Sequence, residues 1–128
     1  MLESLTKILV YGTLRRNGGA NRFLDGTAFL GETRLPGYDM INLGGFPGIV
    51  PNPQNKVGIV GEVYDGVDER MLDHLDHYEG YHPDRPKQHC HYLRETVNVG
   101  GDDVFVYVYN RPVKEWGLPI KTGDWNDR

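Results

Sequence analysis

The sequence predicts a small α+β domain of about six strands and one good helix. Three observations carry this. Gly 17 and Pro 8 in 128 residues make turn residues almost a fifth of the chain, which points to many turns between short strands rather than to a helical bundle. Apolar or alternating runs of strand length recur between those turns. One segment alone, from Asp68 to about Tyr78, combines a capping residue with helical apolar spacing. The length fits one domain around one core. The glycines supply bends that would let the strands close into a barrel, while pattern alone leaves the strand order open.

In chain order, Lys7 to Tyr11 is the first strand, and its unbroken apolar run predicts burial on both faces. Asn17-Gly18-Gly19 is a loop, and Asn21 to Leu24 a short helical turn. Thr27 to Leu35 is a strand interrupted by Gly31; Pro36-Gly37 ends it, and Tyr38 to Leu43 is the next. The segment "GGFPGIVPNPQN" reads as turns, with Phe46 and Ile49-Val50 expected to pack inward. Val57 to Tyr64 is a clear strand closed by Asp65-Gly66. Asp68 then caps the helix, Glu69 sits favourably in its first turn, Met71, Leu72 and Leu75 share a face, and Gly80 is a natural stop. Pro83 to Pro86 is loop. Tyr92 to Val99 and Val104 to Tyr109 form a hairpin across Gly100 to Asp103. Trp116 and Trp125 are expected to pin the tail to the body.

Composition excludes several function classes. A net charge of -4 argues against general nucleic-acid binding. Apolar runs are far shorter than a membrane span. A lone Cys90 forbids an intrachain disulfide and fits a reducing compartment, and no signal peptide is evident, so a cytoplasmic location is expected.

Among the side chains, Glu79 stands out. It lies in "LDHLDHYEGYHP" at the last helical turn, where the helix dipole and burial under Tyr78 and Tyr81 would both raise its pKa. A carboxylate tuned in that way can act as base and then acid near neutral pH. A solvated Glu at a helix end is the plain structural reading of the same pattern. His74 with His77, and His89-Cys90-His91, match no firm zinc signature, so no metal is expected. Arg15-Arg16 could attract an anion, with at least one of them simply solvated. Tyr107 and Tyr109 share a strand face and read as core. No Ser/His/Asp array or phosphate loop is visible.

Taken together and in order, "VYGTLRRNGGANRFL", "GGFPGIV", "GEVYD", "LDHLDHYEGY", "YLRETVNV", "VFVYVY" and "IKTGDW" resemble the γ-glutamylcyclotransferase-like superfamily, in particular its γ-glutamylamine cyclotransferase/AIG2-like branch. The resemblance runs from roughly Ile8 to Trp125, and its most specific motifs are Tyr-Gly-Thr-Leu after the first strand and Glu-Gly after the helix. It implies a small mixed β-barrel with short flanking helices. It implies that Tyr11, Gly12, Thr13 and Leu14 form a substrate-holding loop acting largely through backbone N–H groups, that Glu79 is catalytic, and that Gly45, Phe46 and Pro47 lie near the cavity. Tyr92 and Arg94 match the Tyr-x-Arg strand. The stretch "YHPDRPKQHCH" is longer than the family's usual connection and suggests a lid or rim.

The chemistry implied is internal cyclisation of a small γ-glutamyl molecule to 5-oxoproline with release of an amine. It needs no cofactor and no metal, because nucleophile and electrophile belong to one substrate. A binding or regulatory module on the same barrel is the alternative from another class. The oligomeric state is not legible.

Overall fold

The computed structural model describes residues 5–113 and 117–128. Its strands are β1 (Thr6–Val10), β2 (Ala28–Leu35), β3 (Tyr38–Asn42), β4 (Pro47–Pro51), β5 (Ile59–Val67), β6 (Tyr92–Val99), β7 (Asp102–Tyr109) and β8 (Leu118–Pro119). Among the described residues, the one α-helix, α1 (Glu69–Glu79), is accompanied by short 3-10 turns at Asn21–Leu24, Lys87–His89 and Trp125–Asp127. The mixed α+β class and the single main helix agree with the sequence.

The barrel does not form. A five-stranded sheet runs β2-β5-β1-β7-β6, and a separate three-stranded sheet runs β4-β3-β8. A barrel would need a continuous ladder, and among the described residues β4 ladders only with β3. The two sheets meet through side chains instead: Leu9, Tyr11, Met40, Ile49, Val106 and Val108 belong to one buried cluster between them. The strand count also rises, because "PGIVP" pairs with β3 as a strand rather than a run of turns and Leu118–Pro119 pairs with β3 on its other side.

Strand β1 explains the layering. Leu9 and Tyr11 point into the cluster shared with the small sheet, while Ile8 and Val10 join Tyr64, Val67, Leu75 and Tyr107 under α1. Period-two alternation thus serves two cores, one on each face. The expected double burial of this strand holds, and the molecule is a helix–sheet–sheet stack. Parallel pairing of β1 with β7 and antiparallel pairing with β5 hold it at the centre. Of the two tryptophans, Trp125 is buried against the inter-sheet core as expected; Trp116 lies outside the described residues.

Helix α1 begins where Asp68 accepts from the Met71 N–H at 2.8 Å. It ends at Gly80, whose φ of 71° is open to glycine at little cost, and the Tyr81 N–H returns to the Asp76 carbonyl at 2.9 Å. That stop fixes where Glu79 leaves the helix.

Candidate active site

A cavity of about 420 Å³ opens at the end of β1, where the helix layer and the small sheet converge. Three segments build its walls: Leu9 to Leu14 from β1 and the following loop, Phe46-Pro47 from the β3–β4 hairpin, and His77 to Gly80 from the helix end. His91 and Tyr92 from the start of β6, with Tyr107 from β7, complete it.

Glu79 is half-buried in this wall. Burial pushes its carboxyl from the ordinary 4.5 up to about 7. No opposing charge or hydrogen bond to its carboxylate is found among the described residues. Its charge is felt by Tyr11, Tyr92 and Tyr107. All three are buried, and burial raises their own pKa values, so they stay protonated donors. Their hydroxyls are already engaged. Tyr11 donates to the Tyr107 carbonyl at 2.7 Å, Tyr92 to the Pro47 carbonyl at 2.7 Å, and Tyr107 to Asp76 Oδ1 at 2.7 Å. Asp76 is also paired with Arg94. A carboxyl near 7 with no partner of its own can exchange protons with a ligand at neutral pH.

The loop after β1 is polarised. The carbonyls of Gly12, Thr13, Leu14 and Arg15 accept from Arg15 N, Ala20 N, Asn21 Nδ2 and Gly18 N at 2.7 to 3.1 Å. Among the described residues no such loop bond occupies the N–H of Thr13 or Leu14. Backbone donors left free beside a cavity suit an anionic oxygen. The φ of Gly12 is not positive, but an added Cβ would lie 2.7 Å from Pro47 Cγ. The glycine therefore admits the close approach of the hairpin proline. Across the cavity, Thr13 Oγ1 and the Tyr78 hydroxyl bond at 2.8 Å and tie this loop to the helix end.

Sequence and fold comparisons agree on the family. A family model described as "Gamma-glutamyl cyclotransferase, AIG2-like" matches residues 8–127. The chain belongs to the AIG2-like γ-glutamyl cyclotransferase family. It is 32% identical over 122 residues to the γ-glutamylcyclotransferase family protein YtfP of Escherichia coli K12, covering 95% of this chain and 97% of that one. The solution structure of Escherichia coli ytfP superposes with a TM-score of 0.69 at 30% identity, over 95% of this chain and 97% of the other. The crystal structure of a mouse AIG2-like protein gives 0.65 at 26% identity, over 88% and 82%. Membership supports a cyclotransferase kind of activity.

Of the residues expected in the site, Tyr11, Gly12, Thr13, Leu14, Phe46, Tyr92 and Glu79 all reach the cavity. Gly45 does not; its N–H is held by Asn42 Oδ1 at the hairpin tip. Phe46 does not pack inward as expected but is 47% exposed at the cavity's edge. Tyr107 was read as core alone, although it lines the cavity as well; only the β1–β7 pairing brings it there. Of the arginine pair, Arg16 is exposed with its guanidinium over Phe29, 4.2 Å from the ring centre. Arg15 is the surprise, buried and bound to Glu62 at 2.9 Å and Asp124 at 2.7 Å. His74 is exposed, and His77 and His91 stand at the cavity edge. The long connection contributes His91 to that edge, so it forms part of a rim.

Proposed function

We propose that the protein is a γ-glutamylamine-type cyclotransferase acting on a small γ-glutamyl molecule in the cytoplasm. The observation that carries this reading is Glu79, a partnerless carboxyl with a pKa of about 7 in a cavity that also borders the unused N–H groups of Thr13 and Leu14. Ionised Glu79 takes a proton from the substrate's α-ammonium. The freed amine attacks the γ-carbonyl carbon, and the new C–N bond closes a five-membered ring. The tetrahedral oxyanion collapses, the bond to the leaving nitrogen breaks, and Glu79 returns its proton to that nitrogen; the second proton of the ring nitrogen then passes through Glu79 to the released amine, which leaves as an ammonium and restores the carboxylate. The products are 5-oxoproline and a free amine, with no change of oxidation state.

The backbone supports this at two places. The Thr13 and Leu14 N–H groups are suited to the substrate carboxylate or to the developing oxyanion, where prealigned donors cost no reorganisation. The cavity folds the substrate so that amine and carbonyl meet, and alignment of that kind is worth roughly 7 kcal/mol or more. Tyr11 and Tyr92 support the walls through bonds to main-chain carbonyls, and Phe46 flanks the opening. Gly45 acts at one remove, by shaping the hairpin tip.

The test is 5-oxoproline release, measured by mass spectrometry, from a panel of γ-glutamyl amines, γ-glutamyl amino acids and glutathione. Release by the wild type and its loss in Glu79→Gln is expected. Binding of panel members without any release would overturn the reading in favour of a binding module.

A further inference from the structure

The cavity's chemistry is uneven from floor to mouth. Its floor, set by Tyr11, Tyr92 and Tyr107, is buried. Its exposed lining is aromatic: Phe46 is 47% and Tyr78 is 44% exposed, with His77 and His91 exposed beside them. These rings come from separate elements, the β3–β4 hairpin, the last turn of α1 and the residue before β6. Tyr78 is held by its hydroxyl contact with Thr13 and by the Phe23 ring at 4.9 Å, so its ring is presented rather than free to swing. His77 in turn lies 6.0 Å from His82, edge to face.

Among the described residues lining the cavity, Glu79 is the one carboxylate. In the proposed reaction it serves the α-amine. A second ammonium on the leaving group would therefore find no anion to replace its hydration, and burying an unpaired charge is unfavourable. The segment leading to His91 also carries Arg85 and Lys87, both exposed, against one acid, Asp84. Ring faces alone attract an ammonium weakly when water can reach it. A flat apolar group gains contact with the same rings without losing hydration of a charge.

We propose that Phe46, Tyr78, His77 and His91 form a leaving-group subsite selecting γ-glutamyl amides that carry an uncharged aryl group, such as benzylamides, over those of diamines. This rests on the cavity being a γ-glutamyl site, so the test separates the two ideas. Glutaric acid monobenzylamide and glutaric acid mono(4-aminobutyl)amide keep the carboxylate and the amide but lack the α-amine, and neither can cyclise. Calorimetry on the wild-type protein should show the benzylamide binding about tenfold tighter or better. Phe46→Ala should shrink that ratio to less than about threefold. Equal binding, tighter binding of the aminobutyl compound, binding of neither, or an equal loss for both in Phe46→Ala overturns the subsite. In parallel, 5-oxoproline is measured with the corresponding γ-glutamyl amides. If it never appears while the analogue preference holds, the cyclisation fails and the subsite stands.

Discussion

Glu62 and Glu79 are two glutamates drawn into one small protein, and their surroundings are opposite. Glu62 on β5 is 3% exposed and saturated with donors: Arg15 Nε at 2.9 Å, the Arg16 N–H at 2.8 Å and the Tyr64 hydroxyl at 3.1 Å. Arg15 also reaches Asp124 and Glu32, so the clasp ties the loop after β1 to β2, β5 and the chain's end. At Asp124 burial pushes the carboxyl up, but the hydrogen bonds from Arg15 and the Asn126 N–H, with the charges of Arg15 and Arg34, together outweigh it and hold the group below its usual value. Glu79 has burial without donors, and its carboxyl rises to about 7. A carboxylate whose lone pairs are filled becomes part of the scaffold, and one left unpaired keeps a proton to give and take. Asp76 stands between the two. Burial raises it, while Tyr107 and Arg94 pull it back.

The comparison breaks most visibly in turnover. Glu79→Gln should lower 5-oxoproline formation by about 10²–10⁴ with the fold intact, as read by product assay beside circular dichroism. Retention of more than a few per cent of activity would show that another group moves the proton.

Glu62→Gln should do the reverse. Removing one partner of a buried pair strands Arg15, at a cost of roughly 3 kcal/mol, seen as a lower urea midpoint. The pH midpoint of the remaining activity should not move. A neutral effect on stability would mean that Asp124 and Glu32 satisfy Arg15 by themselves.

Titration sharpens the contrast further. Glu79 binds its proton more tightly folded than unfolded, so it costs no stability below about pH 4.5. Stability then falls as pH climbs towards about 7 and stays lowered above it. At 1.36 kcal/mol per pH unit, the rise from 4.5 to about 7 amounts to about 3 kcal/mol. Glu79→Gln should therefore melt above the wild type at pH 8 and level with it at pH 4. Activity should rise with pH through a midpoint near 7. Parallel melting profiles at every pH would contradict the unpaired state of Glu79.

The smallest expected effect lies in the floor of the Glu79 cavity. Tyr92→Phe removes the hydrogen bond to the Pro47 carbonyl and should cost about 1 kcal/mol. Chemical denaturation would check it, and an unshifted pH midpoint for turnover would place Tyr92 with the scaffold rather than with the chemistry.

Much of this was legible because it is local. The helix from Asp68 to the Gly80 stop depends on a cap, a period and a glycine, all within a dozen residues or so, and its end places Glu79. The double burial of β1 followed from one apolar run. Phe46 was misread because an aromatic residue amid turns looks like core, whereas the hairpin presents it at a cavity edge.

By itself the sequence determined the α+β class, the positions of most elements, the family, and the helix stop that places Glu79. Tertiary structure decided which strands pair, and with that the open two-sheet stack in place of a barrel. It also decided that Gly12 makes room for Pro47, that Tyr107 lines the cavity, and that Arg15 is an internal clasp while Arg16 is exposed. It decided above all which glutamate is paired. Capping and periodicity are written in neighbouring residues. Burial and partnership depend on groups brought together from distant parts of the chain, as when Arg15 meets Asp124 or Tyr11 meets Tyr107.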